Sequence, residues 1–156
     1  MKNDTDTGGL RPVSDATSVY TKRRFECISM NLGIMEFEFR KNMLLGEYYA
    51  AFNMEHAVIS RFLEDETGAD RTIIDQVLQL LQSAYQDDLT EQVWFGREIS
   101  LKILEGEVTI FENILTHTNH HDFEDEFELY ESESIATCGL DDFESMLMQW
   151  QQFTLN

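Results

Sequence analysis

The hydrophobic residues of this chain repeat with two different periods, and each period is confined to its own segments. Asp70 to Tyr85 and Leu140 to Phe153 carry apolar residues on one face at helical spacing, whereas Glu36 to Arg40 alternates apolar and charged residues. The first spacing predicts an amphipathic helix, and the second predicts a half-buried strand. Together they indicate an α+β fold, an antiparallel sheet of about four strands with two main helices at about 70–86 and 140–153.

The remaining elements follow from weaker versions of the same patterns. Leu45–Phe52, Val93–Leu104 and Glu107–Leu115 are predicted to be strands, and His56–Leu63 is predicted to be a short helix, with a third strand as the alternative. Gly106 separates two of these strands and accepts the positive φ that a tight hairpin turn demands. The sequence therefore predicts a β-hairpin centred on Gly106.

Acidic residues far outnumber basic ones. The chain has 30 Asp and Glu against 11 Lys and Arg, which gives a net charge of −19 at neutral pH. Binding to phosphate backbones depends on Lys and Arg, and an anionic membrane surface repels a chain of this charge. We therefore expect no direct contact with nucleic acid or membrane. A partner protein with a basic surface is the expectation, and a purely solubilising role for the charge is the alternative.

Residues 1–34 differ in composition from the rest of the chain. They contain Pro12, the only proline, and the basic cluster Lys22 to Arg24, and they show no regular hydrophobic period. We predict a flexible N-terminal extension here. A basic arm folded onto the domain and translated sequence upstream of a native start at Met35 are the alternatives. Residues 35–156 hold 26 acidic and six basic residues, net −20, and are predicted to form a single acidic α+β domain.

Cysteine content and the first residues of the chain bear on its compartment. Cys27 and Cys138 are too few for the disulfide framework of a small secreted protein. Met1 to Gly9 is polar and lacks the apolar core of a signal peptide. A cytoplasmic protein is the expectation. Cys138 precedes a helix start that could lower its pKa, but a buried structural thiol is the favoured interpretation.

Candidate catalytic and metal-binding patterns are weak. His117, His120 and His121 are followed by Asp122, Glu124 and Asp125, and these are suitable metal ligands. The stretch lacks the fixed spacing that a structural site requires, so a solvated loop with incidental histidines is favoured. Neither cysteine lies in a nucleophile motif, and no phosphate-binding glycine loop occurs. We therefore predict a protein that is not an enzyme and has no catalytic residues, bound metal or cofactor.

One segment combines acidic and aromatic residues more densely than solubility requires. Between residues 122 and 133 the acids are Asp122, Glu124, Asp125, Glu126, Glu128, Glu131 and Glu133, and the large apolar residues are Phe123, Phe127, Leu129 and Tyr130. Two interpretations compete. The apolar residues can anchor the approach to the last helix, or the acids with Phe123 can bind a basic partner. The second makes these acids and Phe123 the candidate partner-binding site.

Several short stretches resemble a known family. They are Met35-Glu36-Phe37-Glu38-Phe39, Gly96 to Leu101 continuing to Asn113, Tyr130 to Ser134, and Cys138-Gly139-Leu140-Asp141-Asp142-Phe143 with Trp150 and Phe153 behind it. Over about 35–156 the chain resembles the YacL family of small acidic bacterial proteins, which has no assigned biochemical activity. Residues 1–34 have no counterpart in that family, and the histidines at 117–121 are not a family feature. The resemblance implies kinship and no catalytic role.

Charge and composition lead to two functional hypotheses. The first is a non-enzymatic acidic binding or regulatory protein that docks on a basic surface of an intracellular nucleic-acid machine, for example RNA polymerase or the ribosome. The alternative is a mimic of DNA charge that inhibits a DNA-binding enzyme, which requires carboxylates at regular spacing along an elongated surface. Both depend on the charge of residues 35–156.

Overall fold

A computed structural model describes residues 25–32 as backbone, and residues 35–116 and 133–156 in more detail. Within these ranges the strands are β1 (Phe25–Leu32), β2 (Met35–Asn42), β3 (Glu47–Phe52), β4 (Gln92–Trp94), β5 (Ile99–Leu104), β6 (Glu107–Glu112) and β7 (Ile135–Gly139). The helices are α1 (Ala57–Arg61), preceded by a 3-10 turn at Met54–His56 and continued by a π-helical turn at Phe62–Thr67, then α2 (Arg71–Gln86) and α3 (Leu140–Leu155). A further 3-10 turn, Asn113–Thr116, follows β6.

The first sheet contains β1, β2 and β3 in that order, all antiparallel. Met35, Phe37 and Phe39 of β2 are buried, and the charged residues between them point outward, as the period of two predicts. The β2–β3 turn closes through a hydrogen bond of 2.8 Å from the Gly46 N–H to the Asn42 carbonyl, with Gly46 at φ +72°.

The second sheet has the order β4-β5-β6-β7, also antiparallel throughout. The β5–β6 hairpin turns at Glu105 and Gly106, which have φ values of +52° and +78°. Two consecutive positive φ values are typical of the tight turns that match the twist of a hairpin. The predicted hairpin at Gly106 is therefore confirmed.

The C-terminal helix α3 joins the two sheets, since it contacts β2 of the first sheet and both β6 and β7 of the second. Its residue Trp150 is fully buried, and the Trp150 ring lies 5.0 Å from that of Phe39 and 6.3 Å from that of Phe153, measured between centroids. The Trp150 indole N–H donates a hydrogen bond of 2.8 Å to the Gly68 carbonyl. A single core thus spans both sheets.

The α+β class, the two main helices and a four-stranded antiparallel sheet are confirmed. The short helix predicted at His56–Leu63 is present as α1 with its flanking turns. Asp70 caps α2, and its carboxylate accepts a hydrogen bond from the Thr72 N–H. Within the described residues, no helix is both long and apolar enough to span a bilayer.

Three details of the expected architecture are wrong. The strand expected at Val93–Leu104 is two strands, β4 and β5, which pair with each other across the loop 95–98. The strand expected at Glu107–Leu115 ends at Glu112, where a 3-10 turn begins. Strand β7 and a second sheet were not expected, and the predicted strands are divided between the two sheets.

The N-terminal extension is only partly described. Residues 25–32, which the sequence assigned to a flexible extension, pair with β2 along their whole length as β1. Residues 1–24 lie outside the described ranges. The division of the chain into an extension at 1–34 and a domain at 35–156 stays a prediction.

Candidate functional site: an acidic cleft beside the C-terminal helix

Most of the predicted partner-binding segment lies outside the described residues. Glu133 is described and exposed. The residues that fall outside are Asp122, Phe123, Glu124, Asp125, Glu126, Glu128 and Glu131, together with His117, His120 and His121. The acidic and aromatic segment therefore stays a prediction, and the geometry of a candidate site comes from other parts of the chain.

An open cleft of about 490 Å³ lies where the end of α2, the β5–β6 turn and the start of α3 come together. Its lining residues are Ala84, Tyr85, Asp88, Gly106, Gly139, Leu140, Asp141 and Asp142. The volume is within the range of small-ligand sites, but such sites are predominantly apolar. Three aspartates in the lining give this cleft a different chemical character.

Backbone hydrogen bonds fix the three parts of the cleft relative to one another. The Glu105 N–H donates to the Asp88 carbonyl at 2.8 Å, which joins the loop after α2 to the β5–β6 turn. The Leu140 N–H donates to the Gly106 carbonyl at 2.9 Å, which joins the same turn to the start of α3. Because these bonds are between backbone groups, the cleft's frame does not depend on its acidic side chains.

Tyr85 connects the two helices at one side of the cleft. Its hydroxyl lies 2.5 Å from Asp141 Oδ1 and 2.9 Å from Glu144 Oε2. Desolvation is the largest cause that raises the pKa of the Tyr85 hydroxyl, and hydrogen bonding to these two carboxylates is the next. Together they hold this pKa well above its ordinary value. The hydroxyl therefore keeps its proton and acts as a hydrogen-bond donor to the acids at the start of α3.

Among the residues that the structure describes, no Lys or Arg lines the cleft. In the ranges 35–116 and 133–156 the basic residues are Arg40, Lys41, Arg61, Arg71, Arg97 and Lys102. Three of these six pair with acids elsewhere, namely with Glu38, Glu112 and Glu91. The described lining of the cleft therefore contains carboxylates and no positive side chain to balance them. Such an environment favours the binding of a cation.

Metal and thiol chemistry receive no support from the described side chains. Within the described residues, no group of three or more His, Cys, Asp and Glu is placed to hold a metal ion. Cys138, next to the cleft, is buried, and burial with the charge of Asp142 raises the pKa of its thiol to about 12. The thiol is therefore protonated at neutral pH, which is the opposite of a helix-activated nucleophile and agrees with a structural role.

A second polar centre lies at the loop 95–98, and it is closed rather than open. The carboxylate of Glu66, in the π-helical turn, accepts hydrogen bonds from the backbone N–H groups of Arg97, Glu98 and Ile99 at 2.8, 2.6 and 3.0 Å. Burial alone would raise its pKa, but these three bonds and the positive charge of Arg97 together outweigh burial and leave the pKa of Glu66 below its ordinary value.

Neighbouring side chains complete this loop. The Asn113 side-chain amide donates to the carbonyls of Gly96 and Arg97 at 3.1 and 3.2 Å, and its oxygen accepts from the buried Ser100 hydroxyl at 2.6 Å. A Cβ on Gly96 would lie 2.0 Å from the Ile99 carbonyl oxygen, so only glycine fits there. The Glu66 carboxylate thus accepts from Arg97, Glu98 and Ile99, while the Gly96 N–H donates to the Ser100 hydroxyl at 3.3 Å. We interpret this centre as structural.

Sequence reasoning found the loop but not its cause. Gly96 to Leu101 and Asn113 were singled out by family resemblance, whereas Glu66 was not, because its donors lie more than 30 positions later in the chain. The acidic cleft was also missed. Asp141 and Asp142 were singled out only by the family resemblance, and their proximity to Asp88 depends on the tertiary fold.

Comparison with known proteins places the chain in a family. A protein from Vibrio cholerae is 48% identical over 122 residues, which are 78% of this chain and 97% of that protein. Relatives from Vibrio vulnificus and Shewanella putrefaciens are 44% and 34% identical over 119 residues, 76% of this chain and 98% and 96% of theirs. No solved structure matches the chain. Residues 35–154 match the uncharacterised protein family UPF0231, and the chain belongs to that family.

Proposed function

We propose that this chain is a non-enzymatic acidic binding protein that docks on a basic surface of an intracellular nucleic-acid machine, with the cleft between α2 and α3 receiving a Lys or Arg side chain. RNA polymerase and the ribosome are assemblies that present such surfaces. The proposal includes a cytoplasmic location. It also takes the YacL group that the sequence resembles to be the same family as UPF0231.

The observation that supports this proposal is the composition of the cleft lining. Asp88, Asp141 and Asp142 line one cavity, and no basic residue within 35–116 and 133–156 lines it. Residues 35–156 together carry a net charge of −20. Long-range attraction brings a cationic surface to such a protein, and carboxylates at close range fix its register. Arg suits the role because its planar guanidinium can bond two carboxylate oxygens at once.

Affinity capture from native lysate tests the proposal. Tagged wild-type protein is compared with the triple variant Asp88→Asn, Asp141→Asn and Asp142→Asn, at about 50 mM and about 300 mM NaCl. We expect mass spectrometry to recover a basic protein with the wild type at low salt, and less of it at high salt or with the variant.

A matched control removes the same charge elsewhere. Glu55→Gln, Asp65→Asn and Glu98→Gln alter three exposed acids that do not line the cleft. This control should keep the partner. Equal loss in both variants would mean that net charge alone is responsible, and retention of the partner by the cleft variant would remove the cleft from the proposal.

A third variant examines the acidic and aromatic segment. Glu124→Gln, Asp125→Asn, Glu126→Gln and Glu128→Gln neutralise its centre. Loss of the partner here, with the cleft variant unaffected, would assign binding to residues 122–133 instead. Release of the captured partner by added DNA would favour the alternative function, a mimic of DNA charge, because DNA would then compete for the same surface of the partner.

A further inference from the structure

In the first sheet, the outer sides of β2 and β3 are covered in different ways. At the β3 edge, the Ala50 N–H donates to the Glu64 carboxylate at 2.7 Å, so a side chain from the helical segment covers the strand. At the other side, β2 is covered by β1, which pairs with it in eight consecutive positions from Phe25 opposite Asn42 to Leu32 opposite Met35. Unpaired strand edges are templates for pairing with other chains, and β1 closes this side of β2 and becomes the outermost strand of the sheet.

The strand that covers β2 lies outside the family region. The match to UPF0231 begins at Met35, the first residue of β2. The Vibrio cholerae relative is matched over 97% of its length by 122 residues, so its unmatched remainder is shorter than the eight residues of β1. The family region by itself therefore ends at the outer edge of β2, and β1 is an addition that occupies this edge.

We propose that the outer edge of β2 is a strand-addition site for an extended segment of a partner protein, and that β1 occupies it as an internal ligand. In such binding, backbone hydrogen bonds supply affinity and alternate side chains supply specificity. The proposal concerns a surface separate from the acidic cleft and does not depend on it.

The register specifies the chemistry of the segment that fits. Residues opposite Phe37 and Phe39, which are buried, share the core-facing side of the sheet and must be apolar. Residues opposite Glu36 and Glu38 share the outer side, where Arg40 pairs with Glu38. The two acids outnumber that one base of β2, so Lys or Arg is favoured opposite them. In β1, Met30 and Ile28 lie opposite Phe37 and Phe39. Asn31 and Ser29 lie opposite Glu36 and Glu38. A segment that alternates apolar and basic residues is therefore the expected occupant.

The hydrogen-bonding direction along β2 selects the variants for a test. The Ala50 N–H points away from β2, so its partner Phe39 directs its own N–H and carbonyl toward β1, where Ile28 is opposite. Ile28→Pro in the full chain removes one of these ladder bonds. Ser29→Pro is the matched control, because the Ser29 N–H faces away from β2, and proline is tolerated at such edge positions.

The probes are labelled peptides with the sequence of Phe25–Leu32 in which Cys27→Ser prevents oxidation. One carries no further change, a second carries Ser29→Lys and Asn31→Lys, and a third carries Ile28→Ser and Met30→Ser. Fluorescence anisotropy measures their binding. We expect the lysine peptide to bind the Ile28→Pro protein at least about tenfold more tightly than it binds wild type or the Ser29→Pro protein. The serine peptide should not bind.

Hydrogen exchange locates the bound peptide and confirms the outcome. In the Ile28→Pro protein the amides of Met35–Asn42 that face β1 should exchange faster than in wild type, and the lysine peptide should restore their protection. If Ile28→Pro does not fold, the double variant Ile28→Ala and Met30→Ala replaces it. Failure of every peptide to bind a folded variant whose β2 amides exchange rapidly would overturn the proposal, as would equal binding of the serine peptide.

Discussion

The carboxylate of Glu66 shows how one residue can fix the local path of the chain. It is a buried acid held by three consecutive backbone N–H groups of the loop 97–99, and the positive charge of Arg97 also favours its ionised form. Charge-assisted bonds of this kind are roughly twice as strong as neutral ones. The same three N–H groups would be costly to bury unpaired, so the acid and the loop depend on each other.

Glu66→Gln should destabilise the fold by about 2 to 4 kcal/mol, because a neutral oxygen accepts more weakly and the new amide NH₂ faces backbone donors. Urea unfolding followed by circular dichroism measures the change in the free energy of unfolding. The matched control is Glu98→Gln, which neutralises an exposed acid of the same loop and should cost less than about 0.5 kcal/mol. Equal effects of the two substitutions would contradict this role for Glu66.

The lowered pKa of Glu66 predicts a pH dependence of stability. Because the folded state holds the carboxylate ionised to lower pH than the unfolded state, with its ordinary pKa of 4.5, unfolding takes up a proton in the acidic range. The stabilisation is complete above the unfolded pKa and decreases as the pH falls below 4.5 toward the folded pKa. Unfolding free energies measured from pH 7 to pH 3 should show a smaller decrease in Glu66→Gln than in wild type. Parallel curves would refute the prediction.

Residue-level roles were predictable from the sequence only where their cause is local. The cap at Asp70 depends on Thr72, two positions later, and a helix-start pattern is enough to indicate it. The role of Glu66 depends on a loop far along the chain, and the cleft depends on Asp88 approaching Asp141 and Asp142. Periodicity contains no information about such tertiary proximity, so neither centre could be predicted.

At the scale of elements, the segment 93–104 shows why a continuous hydrophobic alternation was misleading. Residues on both sides of the loop are strand-forming, and β4 and β5 pair with Trp94 opposite Leu101. Gly96 allows the reversal because the chain there approaches the Ile99 carbonyl, the Trp94 ring and the Glu66 carboxylate more closely than any side chain permits. An isolated glycine in a strand pattern indicates such a close approach, but the sequence alone does not say that the strand divides.

Gly96→Ala should therefore be among the most disruptive single substitutions in the second sheet. A Cβ at 2.0 Å from a backbone oxygen requires the loop to move, which would break the Glu66 hydrogen bonds, and we expect a loss of about 3 kcal/mol or more. Gly139→Ala is the matched control, since its Cβ would find no atom closer than 3.7 Å and its φ of −64° suits alanine. Thermal melting of both variants measures the difference, and similar melting temperatures would contradict the explanation.

At the scale of the whole molecule, two sheets share one core because α1 contacts both of them, and so does α3. The sequence predicted that helix and its apolar stripe, and Phe143, Leu147 and Trp150 are buried as expected. It did not predict that the strands on either side of the helical segment form separate sheets. Strand pairing is decided by register and helix placement, and a pattern of alternation is the same for a strand in either sheet.

The excess of acids predicts how the whole domain responds to salt. With 26 acidic and six basic residues in 35–156, folding brings like charges together, and self-repulsion opposes the compact state. Raising NaCl from about 10 mM to about 150 mM shortens the screening length from about 30 Å to about 8 Å. We expect the melting temperature at pH 7.5 to rise by about 3 to 6 °C, measured by circular dichroism.

A charge-reduced variant separates repulsion in the cleft from the general effect of salt. Asp88→Asn with Asp142→Asn removes two of the cleft's carboxylates without altering the Tyr85 hydrogen bonds to Asp141 and Glu144. This variant should melt higher than wild type at low salt, and its melting temperature should rise less on adding NaCl. A wild-type melting temperature that falls with salt would mean that ion pairs such as Arg61–Glu112 outweigh the repulsion. Repulsion among the cleft's carboxylates would then not destabilise the fold, and a cationic partner would gain no affinity by reducing it.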